Sequence, residues 1–339
     1  MDRTKLPKKI FSGYINSAAH VQGIATDGEY MYYSFTTCLV KTDMAGNLIG
    51  SAVGLTGHLG CIAYSDTDKC VYGSLECKND IIGKGILKNL GITEDNPDSF
   101  FLTRFDVSRI TKPNMDAVDS GIMTMIKLAD VCEDYAYDDG KIKHRFGCSG
   151  IDGVTVLPEF NGIRTVLVAY GIYSDTARDD NDDQVLLAFD VDALADKFAS
   201  IRPTDPSVGV YAPKKLFVHT GNTTFGIQNL EYDPFTNCVL AAVYCGTKPH
   251  FPNRHMYFID LSAPSYEKDG KTYLSLAERG LPHESGIFGS DFPLGATGIA
   301  SLGGGYYYFS EAGSERGKGN FSNVSMYRIE GSGNFVLAE

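Results

Sequence analysis

The sequence predicts an all-β protein, a five-bladed β-propeller of four-stranded antiparallel blades around a central channel. Three observations predict this fold. A short motif recurs five times along the chain, a run of strong β-formers follows each copy, and the third predicted strand of each unit ends on a carboxylate. A single blade cannot bury both of its faces, so such repeats gain stability by stacking around an axis.

In the recurring motif, an apolar residue is followed by a variable residue, a small residue and an aliphatic residue. We expect each copy to begin the innermost strand of a blade. The copies are residues 20–24, 58–62, 150–154, 226–230 and 295–299. Aromatic and β-branched residues, which favour half-buried pleated strands, dominate the segments that follow. These predicted second strands are residues 30–35, 70–74, 165–170, 238–244 and 306–310.

The carboxylates that end the third strands fit tight turns into a fourth strand. They are Asp43, Asp106, Asp190, Asp260 and Glu330, and the predicted fourth strands are residues 48–53, 122–128, 216–219, 273–276 and 335–338. Residues 9–14 also match the pattern of an outer strand. They compete with 335–338 for the edge of blade five, and we expect one segment to lie outside the other.

We expect residues 1–339 to form a single propeller domain. The predicted blades cover about residues 16–54, 55–130, 147–220, 221–280 and 291–339. Insertions explain the uneven spacing, and two of them, 81–91 and 191–201, are predicted to be helical. Seven blades of ~45 residues would also fit the length. That alternative needs two further copies of the motif, which the sequence does not contain.

Charge and hydropathy limit the partners and the location. The chain has 30 Lys and Arg against 42 Asp and Glu, a net charge of −12, so we expect no nucleic acid and no anionic membrane as partner. No apolar run approaches the ~20 residues of a membrane span. The charged N-terminus lacks the apolar core of a signal peptide. The protein is expected to be a monomer, cytoplasmic if Met1 is the native start and secreted otherwise.

Two short segments resemble known propellers. His20-Val21-Gln22-Gly23-Ile24-Ala25-Thr26-Asp27-Gly28 resembles the start of an NHL-type repeat, and Tyr307-Tyr308-Phe309-Ser310-Glu311 resembles a second-strand end in the propeller-type glutaminyl cyclases. Both resemblances imply the propeller fold. The cyclase resemblance would also imply an aromatic pocket rich in Trp, and this chain has no Trp. No specific family is matched, and no catalytic residue is carried over.

Propeller geometry predicts where a ligand would bind. The starts of the innermost strands and the loops after the second strands meet at one face, where they form a funnel. The first group contains His20, Gln22, His58, Asp152, Gln228 and Thr297. The second contains Ser34, Glu76, Tyr170, Tyr173, Tyr244, Ser310 and Glu311.

The polar residues of the funnel have three interpretations. Asp152, Glu76 and Glu311 come from different blades and would divide the acid and nucleophile roles of glycoside hydrolysis. Alternatively, Asp152 and Gln228 bind Ca²⁺, with Gln22 and Thr297 adding neutral oxygens. In the third interpretation, these side chains bond to one another and to channel water. His20 and His58 are candidates for a base, a metal ligand or an anion contact, or bond to backbone carbonyls of the next blade.

Two loops are predicted to overhang the funnel. Residues 175–183 are acidic but lack the glycine and the distal glutamate of an EF-hand loop, so a solvated turn is favoured over a calcium site. Residues 248–255 form a basic and aromatic loop that two prolines stiffen, as a pocket wall requires.

Two functions remain open from the sequence. One is a hydrolase that acts on a glycan or another small polar substrate, with Tyr170, Tyr173 and Tyr244 stacking on sugar rings. The other is a non-enzymatic scaffold that binds a ligand or a protein, with a structural calcium ion in the channel.

Overall fold

The structure, a computed structural model described here for residues 3–16 and 19–339, contains five sheets arranged as blades around one axis. The predicted all-β, five-bladed propeller is confirmed. The blades have three to six strands, and neighbouring strands within them are mostly antiparallel. Their strands are buried on both faces, because each blade packs between two others; Val166, Leu167 and Val168 are successive fully buried residues of one strand.

Blades one and two have four antiparallel strands each. Blade one consists of Gly23–Thr26, Tyr30–Phe35, Cys38–Asp43 and Leu48–Val53. Blade two consists of His58–Ser65, Cys70–Cys77, Ser99–Phe105 and Met123–Lys127. The short strand Met115–Asp116, from the second blade's insertion, pairs in parallel with the outer strand of blade one. This pairing ties the two blades together at their outer edges.

Blade three is the widest sheet and blade four the narrowest. Blade three consists of Cys148–Phe160, Ile163–Ile172, Asp183–Asp190, Lys214–His219, Lys271–Tyr273 and Tyr266–Lys268. Blade four consists of Thr223–Asp233, Cys238–Cys245 and Met256–Asp260.

The fourth strand predicted for blade four at 273–276 is wrong. Tyr273 pairs in parallel with Phe217 of blade three, its ring lies 5.7 Å from that of Phe217, and its hydroxyl donates to Asp183 at 2.7 Å. This aromatic anchor holds the segment on blade three. The end of the segment remains with blade four: the Ser275 carbonyl accepts from the Asp260 N–H at 2.9 Å, and Leu276 forms an isolated bridge to Ile259.

Blade five closes the ring with both ends of the chain. Its three main strands are Ile299–Gly303, Tyr306–Glu315 and Gly319–Glu330. Two end strands, Lys9–Phe11 and Asn334–Leu337, both pair with the outer edge of Gly319–Glu330. The two end strands meet at Met326, whose N–H donates to the Lys8 carbonyl and whose carbonyl accepts from the Ala338 N–H. Neither end lies outside the other, because each pairs with a different half of one strand, which corrects the expectation.

Helices occupy the connections. Ile81–Asn89 begins after Asp80, whose carboxylate accepts from the Gly83 N–H at 2.8 Å, and Ala129–Ala136 lies between blades two and three. Short 3₁₀ turns lie at Arg3–Lys5, Val107–Arg109 and Arg145–Gly147. The helix predicted at 191–201 is a series of turns instead, since Asp190 accepts from the backbone of Asp192 at 2.9 Å. Within the described ranges, no helix has the length and apolar character that crossing a bilayer needs.

The small residue of the recurring motif lies on the axis. In three blades it is glycine: a Cβ on Gly23 would lie 2.9 Å from the Ile62 nitrogen, and one on Gly298 would lie 2.9 Å from the Ile24 nitrogen. In the other two, Cys61 and the fully buried Asn229 fill the centre. The Asn229 amide donates to carbonyls in blades one and five at 2.9 Å each. The axis is therefore packed at this level, with a mouth on each face of the ring.

Candidate functional site

The variable residue of each motif copy is the predicted floor of the funnel. Four blades supply Gln22, Asp152, Gln228 and Thr297, and blade two supplies Gly60. A Cβ on Gly60 would lie 2.7 Å from Oδ1 of Asp152. Because Gly60 has no side chain, the Asp152 carboxyl occupies the space next to it. The other four blades have a side chain at this position.

Asp152 is the acidic group at this floor, and its side chain is 15% exposed. Gln228 Nε2 donates to Oδ2 at 3.2 Å, and His58 Nδ1 lies 3.7 Å from Oδ1. Burial, and next the charge of Glu76, raise the pKa of Asp152 well above its usual range, against the opposing effects of Lys78 and the Gln228 amide. Asp152 thus keeps its proton to higher pH than an ordinary aspartate.

Beside Asp152, Glu76 and Lys78 form an ion pair with 2.7 Å between Oε1 and Nζ, and both side chains are less than a tenth exposed. The second oxygen of Glu76 accepts from the Ile151 N–H at 3.2 Å. Lys78 also donates to the Ser149 carbonyl at 3.0 Å. Burial opposes the charge of Lys78, but Glu76 and Asp80 outweigh it and raise its pKa. The pair is fixed between blades two and three.

A glycine also makes room for this ion pair. Gly150 has a φ of 131°, and a Cβ there would lie 2.0 Å from Oε2 of Glu76. Any side chain at position 150 would displace the carboxylate and strain the backbone. Gly60 and Gly150 therefore position the two carboxyl groups of the funnel by leaving space for them.

The third predicted carboxylate lies apart from these two. Glu311 is exposed and lines a lateral pocket of about 280 Å³ together with Tyr244 and Thr297. Within the described part of the chain, no hydrogen bond or ion pair joins Glu311 to Asp152 or Glu76. The structure brings together two carboxyl groups rather than three.

The two histidines lie near the same floor. Nε2 of the exposed His20 is 3.3 Å from Nε2 of Gln22. Among the described residues, His58 Nδ1 has no hydrogen-bond partner although it is buried. Desolvation lowers the pKa of both imidazoles. Neither ring has the predicted bond to a backbone carbonyl of the next blade in these ranges.

Three residues predicted to line the funnel are instead inside the blades. Ser34, Tyr170 and Ser310 are fully buried. The Ser34 hydroxyl donates to the Gly60 carbonyl at 2.6 Å, that of Tyr170 donates to Asp134 at 2.9 Å, and that of Ser310 lies 2.8 Å from the Ser322 hydroxyl. Their side chains lie in the packed interior of the ring and not in the funnel, because successive side chains of a strand point to opposite faces of its sheet. A ligand in the funnel does not reach them.

Tyr173 and Tyr244 remain as aromatic surfaces, and Tyr244 is 36% exposed. The Tyr173 ring lies 5.1 Å from His144, which in turn lies 4.8 Å from Tyr135. Burial raises the pKa of Tyr173 and Tyr244. Tyr135 and His144 belong to the connection between blades two and three, and the sequence analysis missed them together with Lys78.

The two rim loops bind each other. Lys248, 6% exposed, donates to Oδ1 of the fully buried Asn181 at 3.0 Å, and also to the Arg178 carbonyl and the Asp182 carboxylate. The acidic loop is therefore not a solvated turn, because a lysine ammonium from the basic loop lies among its oxygens. This contact braces the rim between blades three and four.

Nothing in the geometry favours the predicted calcium ion. In residues 3–16 and 19–339, no group of three or more His, Cys, Asp and Glu side chains is placed to hold a metal. Gln228 presents its amide nitrogen to Asp152, and Lys78 already supplies positive charge beside Glu76. Calcium binding by Asp152 and Gln228 stays a prediction.

No protein-family model and no curated protein matches the chain. Three solved structures with related architecture are the Dos1 propeller, a glutaminyl cyclase of Myxococcus xanthus and a protein of unknown function from Bacteroides caccae. Their identities to this chain are 13%, 12% and 9%, and the TM-scores are 0.37, 0.37 and 0.30. The matches cover 86%, 95% and 83% of this chain, and 52%, 98% and 85% of the other. The chain thus spans about half the length of the Dos1 propeller chain. Likenesses this weak carry no argument about activity.

Proposed function

We propose that the funnel binds a small polar ligand such as a glycan fragment, and that the Asp152 carboxyl recognises it. The observation that carries the proposal is a raised-pKa carboxyl, 15% exposed, at the floor of the funnel. A protonated carboxyl both donates and accepts hydrogen bonds, as a ligand rich in hydroxyl groups requires. Tyr173 and Tyr244 supply aromatic faces against which a sugar ring packs.

Hydrolysis of that ligand is the second candidate. Asp152, whose pKa is raised, would donate a proton to a leaving-group oxygen, as the general acid of a glycosidase does. The second carboxyl, Glu76, has both oxygens engaged, one by Lys78 at 2.7 Å and one by the Ile151 N–H at 3.2 Å. A nucleophile or base needs a free oxygen, so this arrangement favours binding over turnover.

The choice of variant at position 152 tests the proposal. Asparagine donates and accepts hydrogen bonds like a protonated aspartate but cannot supply an acidic proton. On an oligosaccharide array, we expect Asp152→Ala to weaken binding about tenfold, the effect of one lost hydrogen bond, and Asp152→Asn to retain it. Binding by the wild type should weaken as the pH rises and Asp152 ionises, whereas binding by Asp152→Asn should not change.

Asp66→Asn on the opposite face is the matched control and should bind like the wild type, because Asp66 is 89% exposed and far from the funnel floor. No binding to any oligosaccharide, or equal binding by Asp152→Ala, would refute the proposal. Release of product by the wild type but not by Asp152→Asn, with equal binding, would establish hydrolysis.

A further inference from the structure

The face opposite the funnel contains a second cavity of about 460 Å³. All five blades contribute to it, because the innermost strands end there. Thr26, Tyr64, Val156, Glu231 and Leu302 represent the five blades in its wall. Its volume is in the range of small-molecule sites. The packed axis at Cys61 and Asn229 lies between this cavity and the funnel.

Two carboxyl groups line this cavity: Asp66 is 89% exposed at its rim, and Glu231 lies deeper and is only partly exposed. Oε1 of Glu231 accepts from the Ser301 N–H at 2.6 Å, which fixes the side chain toward blade five. Within the described ranges, its second oxygen has no hydrogen-bond donor from the protein. Burial, and to a lesser degree the neighbouring Asp233, raise the pKa of Glu231 to about 8, while the Ser301 bond opposes the rise. Ionisation is unfavourable because no positive charge compensates it.

Cations accompany other buried carboxylates of this protein. Glu76 has Lys78 at 2.7 Å, and Asp134 has Lys215 at 2.6 Å. Asp233, on the same strand as Glu231, lacks a salt bridge in the described ranges, but the Tyr307 and Thr236 hydroxyls bond to it at 2.7 and 2.6 Å. Glu231 has neither arrangement.

The cation nearest to this cavity does not serve Glu231. Arg164 lies in the wall, and its guanidinium pairs with Asp192 at 2.5 Å and with Asp68 at 3.4 Å. Two carboxylates therefore match its charge. Two further cations lie at the edge of the cavity, but Arg3 donates to the Gly303 carbonyl at 2.9 Å and Lys69 pairs with Asp66 at 3.5 Å. The ionisable groups nearest to Glu231 are neutral or acidic. They are Cys61, Asp233, Tyr64, Asp66 and Tyr232.

The remaining wall combines aromatic and apolar groups with hydroxyl side chains such as those of Thr26 and Thr155. Tyr64 and Tyr232 bring rings to the cavity, and Val156, Pro158 and Leu302 bring apolar groups. Tyrosine faces attract organic cations through the ring quadrupole, and apolar groups receive their methyl or methylene surface. A partly buried carboxyl whose second oxygen has no donor among the described residues, next to such groups, is complementary to a positively charged organic molecule.

We infer that this cavity is a binding site for an organic ammonium ion, with Glu231 as its counterion. The bound cation takes the place that Lys78 has beside Glu76, and Glu231 gives up its proton when the cation enters. The site lies on the other face from the funnel, so it does not depend on the function proposed there.

Tetramethylammonium and n-butylammonium chloride are the probes, because both stay charged from pH 6.5 to 9. Calorimetry should detect binding at pH 9. For a carboxyl that titrates near 8, the ionised fraction rises about thirtyfold between these pH values, so the apparent affinity should rise by about the same factor. tert-Butanol, a neutral molecule of similar shape to tetramethylammonium, should bind more weakly at pH 9 and show no dependence on pH.

Glu231→Gln is the decisive variant. Glutamine has the same shape and keeps the acceptor for the Ser301 N–H, so the fold should survive, which circular dichroism and thermal melting would check. The variant should lose the pH dependence and most of the affinity, whereas Asp152→Asn, on the other face of the ring, should bind both cations normally. No binding of either cation at 50 mM and pH 9, equal binding by Glu231→Gln, or equal binding of tert-butanol would each overturn the inference.

Discussion

Buried carboxyl groups lie at both mouths of the ring, and the two mouths differ in what faces those groups. At the funnel, Glu76 contacts the Lys78 ammonium at 2.7 Å, and Asp152 lies next to the pair. At the opposite mouth, Glu231 has the Ser301 N–H at 2.6 Å but no cation. The two ends of the same innermost strands form the two mouths. The repeat therefore does not determine whether a carboxylate there has a cation beside it.

The connections account for the difference. On the funnel side, long segments join the strands, such as the one after Cys77 that brings Lys78, and the one before Cys148 that brings Tyr135 and His144. On the opposite side, tight hairpins join the first and second strands, for example between Thr26 and Tyr30. Short turns have no room for a lysine that reaches back to the axis. The strands thus supply the carboxyl groups at both mouths, and a connecting loop supplies the cation at the funnel.

The largest expected effect is that of removing the internal cation from the funnel. Lys78→Met leaves Glu76 buried without its partner, and we expect the free energy of unfolding to fall by about 3–5 kcal/mol in urea titrations. The matched control is Lys69→Met, since Lys69 pairs with Asp66 on the surface, where both are more than two-thirds exposed. That variant should change stability by at most about 0.5 kcal/mol. A double variant, Lys78→Met with Glu76→Gln, should recover part of the loss, and no recovery would contradict the role given to the ion pair.

A smaller effect is expected at the opposite mouth, in the dependence of stability on pH. Folding raises the pKa of Glu231 from 4.5 to about 8, so between these values the folded chain holds a proton that the unfolded chain has released. The free energy of unfolding must then decrease as the pH rises through this window. Between pH 5 and 9, we expect the free energy of unfolding of the wild type to fall by about 3 kcal/mol more than that of Glu231→Gln. This is less than ~1.36 kcal/mol for each unit of the pKa shift would give, because solvent reaches the cavity. Parallel stability curves for the two proteins would show that Glu231 titrates normally.

The smallest effect concerns the space that positions Asp152. In Gly60→Ala, the new methyl group would lie 2.7 Å from both Asp152 Oδ1 and Ser74 Oγ, so the carboxyl must move toward solvent. We expect a loss of about 1–2 kcal/mol and, in a carbon-13 NMR titration, a pKa for Asp152 closer to its ordinary value. Gly85→Ala is the control, because Gly85 lies in a helix with no atom within 4 Å of its added Cβ; it should gain about 0.5–1 kcal/mol. If the pKa of Asp152 is unchanged in Gly60→Ala, then the space left by Gly60 does not cause the burial that raises this pKa.

Position within the motif explains which site residues could be predicted. The variable residue and the small residue have fixed positions in the repeat, so the pattern predicts that Asp152 and Gln228 lie close together, and they form a hydrogen bond. The second strands offered no such reference, because both blade faces are buried and hydrophobicity does not distinguish them. The sequence pattern therefore also predicts Ser34 and Tyr170 in the funnel, although both side chains are fully buried.

The residues that sequence analysis missed come from different causes. Lys78 had a signal, since it follows Glu76 by two residues and so lies on the same side of an extended chain. Tyr135 and His144 had none, because a helix and a left-handed residue at His144 determine where that connection runs. The exchange of Lys271–Tyr273 to blade three depends on contacts with Phe217 and Asp183, which are distant in sequence.

The junction at Met326 has a mechanical consequence. Its N–H and its carbonyl hold the first and the last described segments of the chain to one strand, through Lys8 and Ala338. Detaching either terminus uncovers half of that strand's edge and removes the neighbour against which the other terminus ends. A fusion partner that pulls on either end would therefore expose one half of the outer edge of blade five.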